Sequence, residues 1–219
     1  MEITSCKNYT PNFQARLVAK TVNCIGKLET KIDLWEVSPQ DSVVLNKIVE
    51  KTNMRELMPN VPYFENKRHQ DMLAIAVDDT LLRGAKTYLA VADGNKPCGI
   101  MSIFKENNDL KTSCVCTWPV EIGKKVKFAG KTLFYQIFQD FKDSKAKKIV
   151  LEAIYDGPAP TVPWYESLGF RVADKNRLDT MVINQAKAKD ACKRLSNRID
   201  YTPVTEGKKV DLATVLDLD

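Results

Sequence analysis

The strongest indication of the fold is the stretch Trp164-Tyr165-Glu166-Ser167-Leu168-Gly169-Phe170. Its pattern predicts a short helix over 161–168 that ends at Gly169, because glycine adopts the left-handed backbone of a helix stop at little cost. Strands are predicted at 170–172 and 181–184. The run 149–155 before it is almost continuously apolar, which is typical of a strand covered on both faces. Only Glu152 interrupts that run.

Further upstream, the pattern indicates a sheet flanked by helices. Strands are predicted at 32–37, 88–92, 99–104 and 110–117, and Asp93-Gly94 favours a hairpin turn between the second and third of them. Ser38-Pro39 marks the start of one helix, and a second helical pattern covers 72–81. A strongly one-sided helix begins near Gly130, carried by Leu133, Phe134, Ile137, Phe138 and Phe141. The predicted fold class is α+β, with a mixed, mainly antiparallel central sheet of six to seven strands between layers of helices.

The two ends of the chain are predicted to be additions to one central domain. Residues 1–31 form an N-terminal extension, with a possible edge hairpin. Residues 32–184 hold the predicted sheet and helices. Residues 185–219 are expected to form a helix to about residue 196 and then an irregular acidic end.

Composition limits the classes of function. The 219 residues are 44% hydrophobic and 28% charged, as in a folded globular protein, and no run of eighteen apolar residues or secretory leader is present, so we expect no membrane partner and a cytoplasmic location. A net charge of +5 is mild and dispersed, which argues against a nucleic-acid partner. The six cysteines contain no CxxC pair and the chain has a single histidine, so no zinc or other metal site is predicted.

Two features together resemble the GNAT superfamily of N-acetyltransferases. One is the passage from a predicted strand through Trp118-Pro119-Val120 into a basic loop and helix, and the other is the 164–170 stretch, similar to the family's Phe/Leu-Tyr-Glu-Lys-Leu-Gly-Phe. The order of predicted elements across 32–184 is also similar to that of the superfamily. The resemblance implies an acyl-CoA-binding domain that transfers an acetyl group from acetyl-CoA to a primary amine.

The resemblance places the cofactor loop on Lys125-Val126-Lys127-Phe128-Ala129-Gly130, where the family has Gln/Arg-x-x-Gly-x-Gly/Ala. Such a loop holds a pyrophosphate on backbone N–H groups at a helix N-terminus. Phe128 occupies the place of the middle glycine, a departure from the pattern. The alternative is a plain solvated basic loop. The predicted cofactor-binding residues are Trp118, Val120, Lys125, Val126, Lys127, Phe128, Ala129, Gly130, Lys131 and Thr132.

The resemblance also implies catalytic roles. Tyr165 would be the general acid that protonates the departing thiolate, the alternative being simple packing against its neighbours. Glu152 is the first candidate for the base, since a carboxylate within a covered strand is costly unless it faces a cleft or an ion-pair partner, and Asp156 is the second. A backbone N–H near Thr117 or Trp118 would bind the oxyanion.

Three further residues carry weaker signals. Cys114 and Cys116 share one face of a predicted strand but lack the partners of a nucleophile or a metal site, so core packing is expected. His69 is expected at the surface or capping a helix. The amine acceptor is expected to bind to residues 53–68 and to the strand ends opposite the cofactor, and the protein is expected to be a monomer or a homodimer.

The leading hypothesis is therefore an acetyl-CoA-dependent N-acetyltransferase acting by direct attack of the amine on the thioester. The alternative is a non-catalytic module of the same fold with a degenerate cofactor loop, motivated by Phe128. An unrelated α/β scaffold whose ends, 1–31 and 185–219, mediate association is the third possibility.

Overall fold

The computed structural model describes residues 14–25, 28–154 and 160–218. Its strands are Ala15–Ile25 (β1), Leu28–Val37 (β2), Lys86–Ala92 (β3), Lys96–Glu106 (β4), Asp109–Thr117 (β5), Lys148–Glu152 (β6), Arg171–Asp174 (β7), Arg177–Asn184 (β8), Ile199–Pro203 (β9) and Lys209–Val210 (β10). Its α-helices are Ser42–Lys51 (α1), Met54–Leu57 (α2), Tyr63–Asp78 (α3), Ala129–Lys142 (α4), Val162–Leu168 (α5) and Gln185–Leu195 (α6).

The strands form one sheet in the order β10-β1-β2-β3-β4-β5-β6-β8-β7, with β9 also paired to β1. Every pairing is antiparallel except that of β5 with β6. The predicted fold class is confirmed, but the prediction of six to seven strands was too low, because β1 extends the sheet at one side and β9 and β10 add to it.

Helices cover both faces of the sheet, because alternate residues of each strand point to opposite sides. On one face α4 packs Phe134, Phe138 and Phe141 against Leu34 and Met101. On the other face α1 and α3 pack against the opposite side chains of the same strands, in a cluster that contains Leu45, Ile48, Leu73, Leu89 and Ile100. The structure is therefore three-layered, and each face has its own core.

The chain ends differ from the prediction. β1 and β2 pair along most of their length, with residues 26 and 27 between them outside the described part of the chain, but β1 is not an edge because β9 and β10 pair with it. The irregular acidic end predicted after residue 196 was therefore wrong. An open strand edge leaves a row of unpaired N–H and C=O groups, and the returning tail covers the edge of β1.

A cleft opens between β5 and β6. These two strands pair only at Leu110 with Ile149 and at Lys111 with Val150, so they separate towards the carboxyl end of β5. Strand β5 continues to Thr117, beyond its pairing with β6. Among the residues that the structure describes, no strand adjoins the edge of β5 on the β6 side from Thr112 onward.

Candidate active site

A cavity of about 590 Å³ lies at this opening, and residues from both layers of helices line it. The end of β5 and the start of α4 contribute to its wall, as do α3, α5 and the end of β6. Its lining residues are Glu65, Arg68, His69, Met72, Val115, Thr117, Lys125, Val126, Lys127, Phe128, Ala129, Gly130, Lys131, Glu152, Ile154, Thr161, Trp164, Tyr165 and Arg198. The predicted basic loop, Tyr165 and Glu152 thus come together at one site.

The start of α4 presents free backbone donors. Phe128 is the residue before the helix, and the first N–H with a partner inside the helix is that of Thr132, which donates to the Phe128 carbonyl at 2.8 Å. No side chain caps this end. The N–H groups of 128–131 are therefore left without an acceptor in the helix, and together with the helix dipole they favour an anion.

Phe128 adopts the backbone that a glycine would take. Its φ is +71°, in the left-handed region, which costs a residue with a side chain about 1–2 kcal/mol. Its half-buried ring lines the cavity, with the Lys131 ammonium 5.6 Å from the ring centroid. The bend expected of the cofactor loop is therefore present even though phenylalanine replaces the glycine of the pattern.

The loop carries cations that lack carboxylate partners. Lys125 and Lys127 are exposed and form no ion pair with any residue in the described ranges, whereas Lys124 pairs with Glu121. Lys131 lies in the first turn of α4 and also lines the cavity. The positive charge of Lys125 and Lys127 is thus free to act on an anionic ligand.

Gly130 has a packing role that the sequence did not indicate. A Cβ atom at this position would lie 3.3 and 3.4 Å from two ring carbons of Trp164, so an alanine at residue 130 would require the indole of α5 to shift by a few tenths of an ångström. Trp164 is adjacent to Tyr165 in α5. Gly130 therefore helps to position the catalytic candidate as well as the anion-binding turn.

Tyr165 is 7% exposed and lies in an aromatic cluster. Its ring centroid is 5.0 Å from that of Trp164, 5.6 Å from Phe134 and 5.9 Å from Phe170. Burial, with a smaller contribution from Cys114, raises the pKa of the Tyr165 phenol to about 12. Its hydroxyl makes no hydrogen bond within the described ranges, and the residue lines the cavity. The phenol is thus protonated and available to a ligand.

The end of β5 identifies which backbone N–H faces the opening. The Trp118 N–H donates to the Cys98 carbonyl at 3.0 Å, so the even-numbered residues at this end of the strand bond to β4. By the alternation of an antiparallel ladder, Val115 and Thr117 direct their N–H groups away from β4 and towards the opening. Of the two oxyanion donors expected, Trp118 is excluded and Thr117 remains.

Three of the predicted cofactor-binding residues are not brought to the cavity. Trp118 is buried against the α1 and α3 layer, since it follows the same alternation as Cys116, and with Val120 it lines a separate cavity of about 280 Å³. Thr132 is fully buried in α4. The other seven predicted residues, 125–131, all line the main cavity.

Glu152 lines the cavity, but its surroundings differ from those predicted. Its side chain is 61% exposed and lies 3.7 Å from the Arg177 guanidinium. The expected cleft and ion-pair partner are both present, but the strand predicted over 149–155 ends at Glu152, so the side chain is not enclosed by the sheet. Asp156, the second candidate base, lies outside the described residues.

Two residues of α3 were missed as parts of the cavity wall. Glu65 is only 7% exposed, and its carboxylate has no hydrogen bond or ion pair with the residues that the structure describes. His69 is half-buried, one turn further along, with Nδ1 2.8 Å from the Glu65 carbonyl oxygen. It lies inside the site rather than at a surface or a helix end. The missed signal is the spacing of Glu65, His69 and Leu73, which continues the buried stripe of the helix.

The cysteines of β5 pack in the core, as predicted. The Cys114 and Cys116 thiols donate to the carbonyl oxygens of Met72 and His69, at 3.0 and 3.4 Å. Burial raises the pKa of Cys114 to about 12 and raises that of Cys116 further. Both are therefore thiols rather than reactive thiolates at neutral pH.

Two other kinds of site were sought in the described ranges. No cluster of three or more His, Cys, Asp or Glu side chains there has the arrangement of a metal site. Nor does any helix in those ranges combine the length and apolar character needed to span a membrane.

No family model matches the chain, and no curated protein is significantly similar to it in sequence. Solved structures do resemble it. They include the PaiA N-acetyltransferase of Thermoplasma acidophilum in complex with coenzyme A (TM-score 0.47, 15% identity, covering 69% of this chain and 96% of that one). A GNAT-family acetyltransferase of Staphylococcus aureus Mu50 has a TM-score of 0.48 at 18% identity, covering 70% of this chain and 99% of that one. The spermidine/spermine N-acetyltransferase SpeG of Vibrio cholerae has a TM-score of 0.46 at 17% identity, covering 73% and 95%.

In structure, this chain is similar to GNAT acetyltransferases. The mixed, mainly antiparallel sheet between two layers of helices agrees with the GNAT-like arrangement expected from the sequence. The additional strands β9 and β10 belong to the part of the chain after residue 184, beyond the 32–184 range over which the GNAT resemblance was recognised.

Proposed function

We propose that the protein is an N-acyltransferase that passes the acetyl group of acetyl-CoA to a primary amine by direct attack on the thioester. The observation that carries the proposal is the meeting, in one cavity, of an uncapped helix N-terminus and a buried phenol whose hydroxyl has no partner among the described residues. Backbone donors suit a phosphate, and the phenol suits a departing thiolate.

The start of α4 is the proposed pyrophosphate site. The free N–H groups of 128–131 supply short-range hydrogen bonds, and Lys125 and Lys127 supply the longer-range attraction to an anion. Acetyl-CoA would also place an uncharged thioester further into the cavity. The Thr117 N–H at the open edge of β5 is the proposed donor to the thioester oxygen as negative charge develops on it.

Tyr165 is the proposed donor to the leaving sulfur. With a pKa of about 12, the phenol is more than three units less acidic than an ordinary thiol at about 8.5, so it holds its proton while the thiolate departs. Its contribution is a hydrogen bond to a developing negative charge, which is stronger than one to a neutral sulfur. The thiolate itself then takes a proton from the new amide nitrogen.

The acceptor amine must be uncharged when it attacks, so a base is also required. Glu152 stands at the cavity rim, surrounded by solvent and close to Arg177. We therefore do not assign Glu152 the role of base.

Titration calorimetry with acetyl-CoA, followed by an assay of amine-dependent release of the CoA thiol, tests the proposal. We expect saturable binding to the full chain, weakened in the double variant K125Q/K127Q. The matched control is K145Q/K147Q, which removes the same charge after α4. Failure to bind at millimolar acetyl-CoA would refute the proposal.

A non-catalytic acyl-CoA-binding module is the second candidate. Phe128 favours this second candidate. Its positive φ keeps the bend of the loop at a cost in strain, and its bulky side chain lines the cavity where the family pattern has a glycine. Binding of acetyl-CoA without release of thiol to any of a broad set of primary amines would support this alternative.

We also propose that the protein works in a reducing cytoplasm. The five cysteines in the described ranges are all free, and the pKa values of Cys98 and Cys114 are both raised to about 12. Buried thiols of this kind need no oxidising compartment.

A further inference from the structure

Glu65 is a buried carboxylate with no cation beside it. It is 7% exposed and lines the cavity from α3, and none of the residues that the structure describes forms an ion pair or hydrogen bond with its side chain. The Glu65 oxygens are not among the enclosed polar atoms that lack a partner, so they are open to the cavity. A carboxylate that faces a cavity and has no partner among the described residues is suited to a cationic ligand.

His69 has a defined tautomer. Its Nδ1 lies 2.8 Å from the Glu65 carbonyl oxygen, which only accepts hydrogen bonds, so Nδ1 carries the hydrogen. In the neutral ring Nε2 then has a free lone pair. Residues four apart lie on the same face of a helix, so the carboxylate of Glu65 and the ring of His69 lie together on the cavity side of α3.

We propose that Glu65 and His69 form the subsite for the acceptor, which is a primary ammonium ion, with Glu65 binding the cation and His69 Nε2 removing its proton. This proposal rests on the proposed function. Elsewhere on the wall, Arg68, Lys125, Lys127, Lys131 and Arg198 repel an ammonium ion, and Glu152 is already paired with Arg177, so Glu65 is the carboxylate of the wall that is left to bind one. Glu65 is thus the buried anion towards which such an acceptor is directed.

The proton count closes with these residues. The ammonium gives one proton to His69 Nε2, and the neutral amine forms a C–N bond to the thioester carbonyl carbon as the C–S bond breaks. The second proton passes from nitrogen to the thiolate, which leaves as the thiol. The imidazolium, stabilised by the Glu65 carboxylate, returns its proton to solvent. The products are an amide, the thiol and one proton.

Because His69 is the only histidine of the chain, its ring is observable without ambiguity by NMR in the full protein lacking any histidine tag. We expect long-range ¹H–¹⁵N spectra, recorded under alkaline conditions that keep imidazoles neutral, to show the Nδ1–H tautomer. Hexylamine is the probe for the subsite, and hexanol is its uncharged control. Hexylamine should shift the ring signals in a saturable manner, and hexanol should not.

Glu65→Gln should weaken the hexylamine response about tenfold or more, since a hydrogen bond to a charged group is lost. Lys67→Gln is the matched control, because it also changes one charge on α3 but at a side chain that is 63% exposed and paired with Asp71. An Nε2–H tautomer, or ring signals that do not shift when hexylamine is added, would overturn the proposal. So would an equal response in the Glu65→Gln variant.

Calorimetry with acetyl-CoA separates this proposal from the proposed function. Glu65→Gln and the wild type should bind acetyl-CoA with the same affinity, because Glu65 lies on α3 while the anion-binding turn lies at the start of α4. If the wild type does not bind acetyl-CoA, the proposed function is refuted. Normal binding of acetyl-CoA with no response of His69 to hexylamine would refute only the acceptor subsite.

Discussion

Replacing Tyr165 by phenylalanine removes one hydroxyl and leaves the aromatic cluster in place. That hydroxyl has no hydrogen-bond partner within the described ranges, so its loss breaks no contact of the folded chain. We expect the free energy of unfolding to stay within about 1 kcal/mol of the wild type. The affinity for acetyl-CoA should also be unchanged, because the proposed phosphate site lies at the start of α4.

The expected effect is on turnover, and its size follows from the pKa. Since a phenol with a pKa of about 12 keeps its proton beside a thiolate, the role proposed for Tyr165 is a hydrogen bond rather than a complete proton transfer. Hydrogen bonds to charged groups contribute about 1.5–3 kcal/mol, which corresponds to a decrease in kcat of about 10- to 150-fold.

Release of the CoA thiol, followed with a chromogenic disulfide, measures kcat, and calorimetry measures the affinity for acetyl-CoA. Phe170→Leu is a useful companion, because it alters the aromatic cluster without touching the hydroxyl. Unchanged kcat in Tyr165→Phe would remove Tyr165 from the mechanism. A parallel loss of acetyl-CoA affinity would show that the phenol binds the ligand rather than assisting the leaving group.

Three other outcomes are expected. Phe134→Ala should cost about 3–5 kcal/mol in urea unfolding, since the ring is fully buried and contacts the α5 aromatics; a loss below 1 kcal/mol would contradict the packing described. Gly130→Ala should leave stability nearly unchanged in thermal denaturation, because a helix-propensity gain of about 1 kcal/mol offsets the close contact with Trp164. Turnover should fall, and unchanged turnover would contradict the role of Gly130 in positioning Tyr165. Because the pKa of Tyr165 is raised in the native state, the native state is more stable below pH ~10 than at higher pH, and about 3 kcal/mol of the free energy of unfolding is lost as the pH rises through 12. Urea unfolding of Tyr165→Phe should lack this part of the alkaline destabilisation. Equal alkaline slopes in the two proteins would contradict the pKa.

The parts of the structure that could be predicted are those with local signals. The one-sided apolar spacing of α4 places its buried face correctly, and Gly169 ends α5 with φ at +103°, as a left-handed helix stop requires. The hairpin at Asp93-Gly94 is also local, since its turn residues take positive φ values. From these elements, the basic loop and Tyr165 could be assigned to one site.

The α3 wall of the cavity could not be found in the same way. Apolar residues at helical spacing begin only at Met72, so the sequence pattern predicts the buried stripe only from there onward. The buried stripe in fact runs through Glu65, His69, Leu73 and Val77, and its first half is polar because it faces a cavity rather than a core. A cavity wall is built from distant segments, so its polar residues are recognised as buried only when those segments are brought together.

The short strands at the end of the chain were missed for a related reason. β9 and β10 have weak patterns of their own, and what defines them is the edge of β1. β-Strand propensity depends on the neighbouring strand more than on the segment itself.

The pairing of β9 with β1 has a consequence for synthesis on the ribosome. Tyr201, the partner of Thr21, is translated much later than Thr21, so this side of β1 stays unpaired in the nascent chain until β9 has been made. Contacts this distant in sequence slow folding, and strand edges left open in the meantime favour aggregation. Chaperone dependence in the cell would then be set by the segment that carries β9 and β10 rather than by the strands at the centre of the sheet.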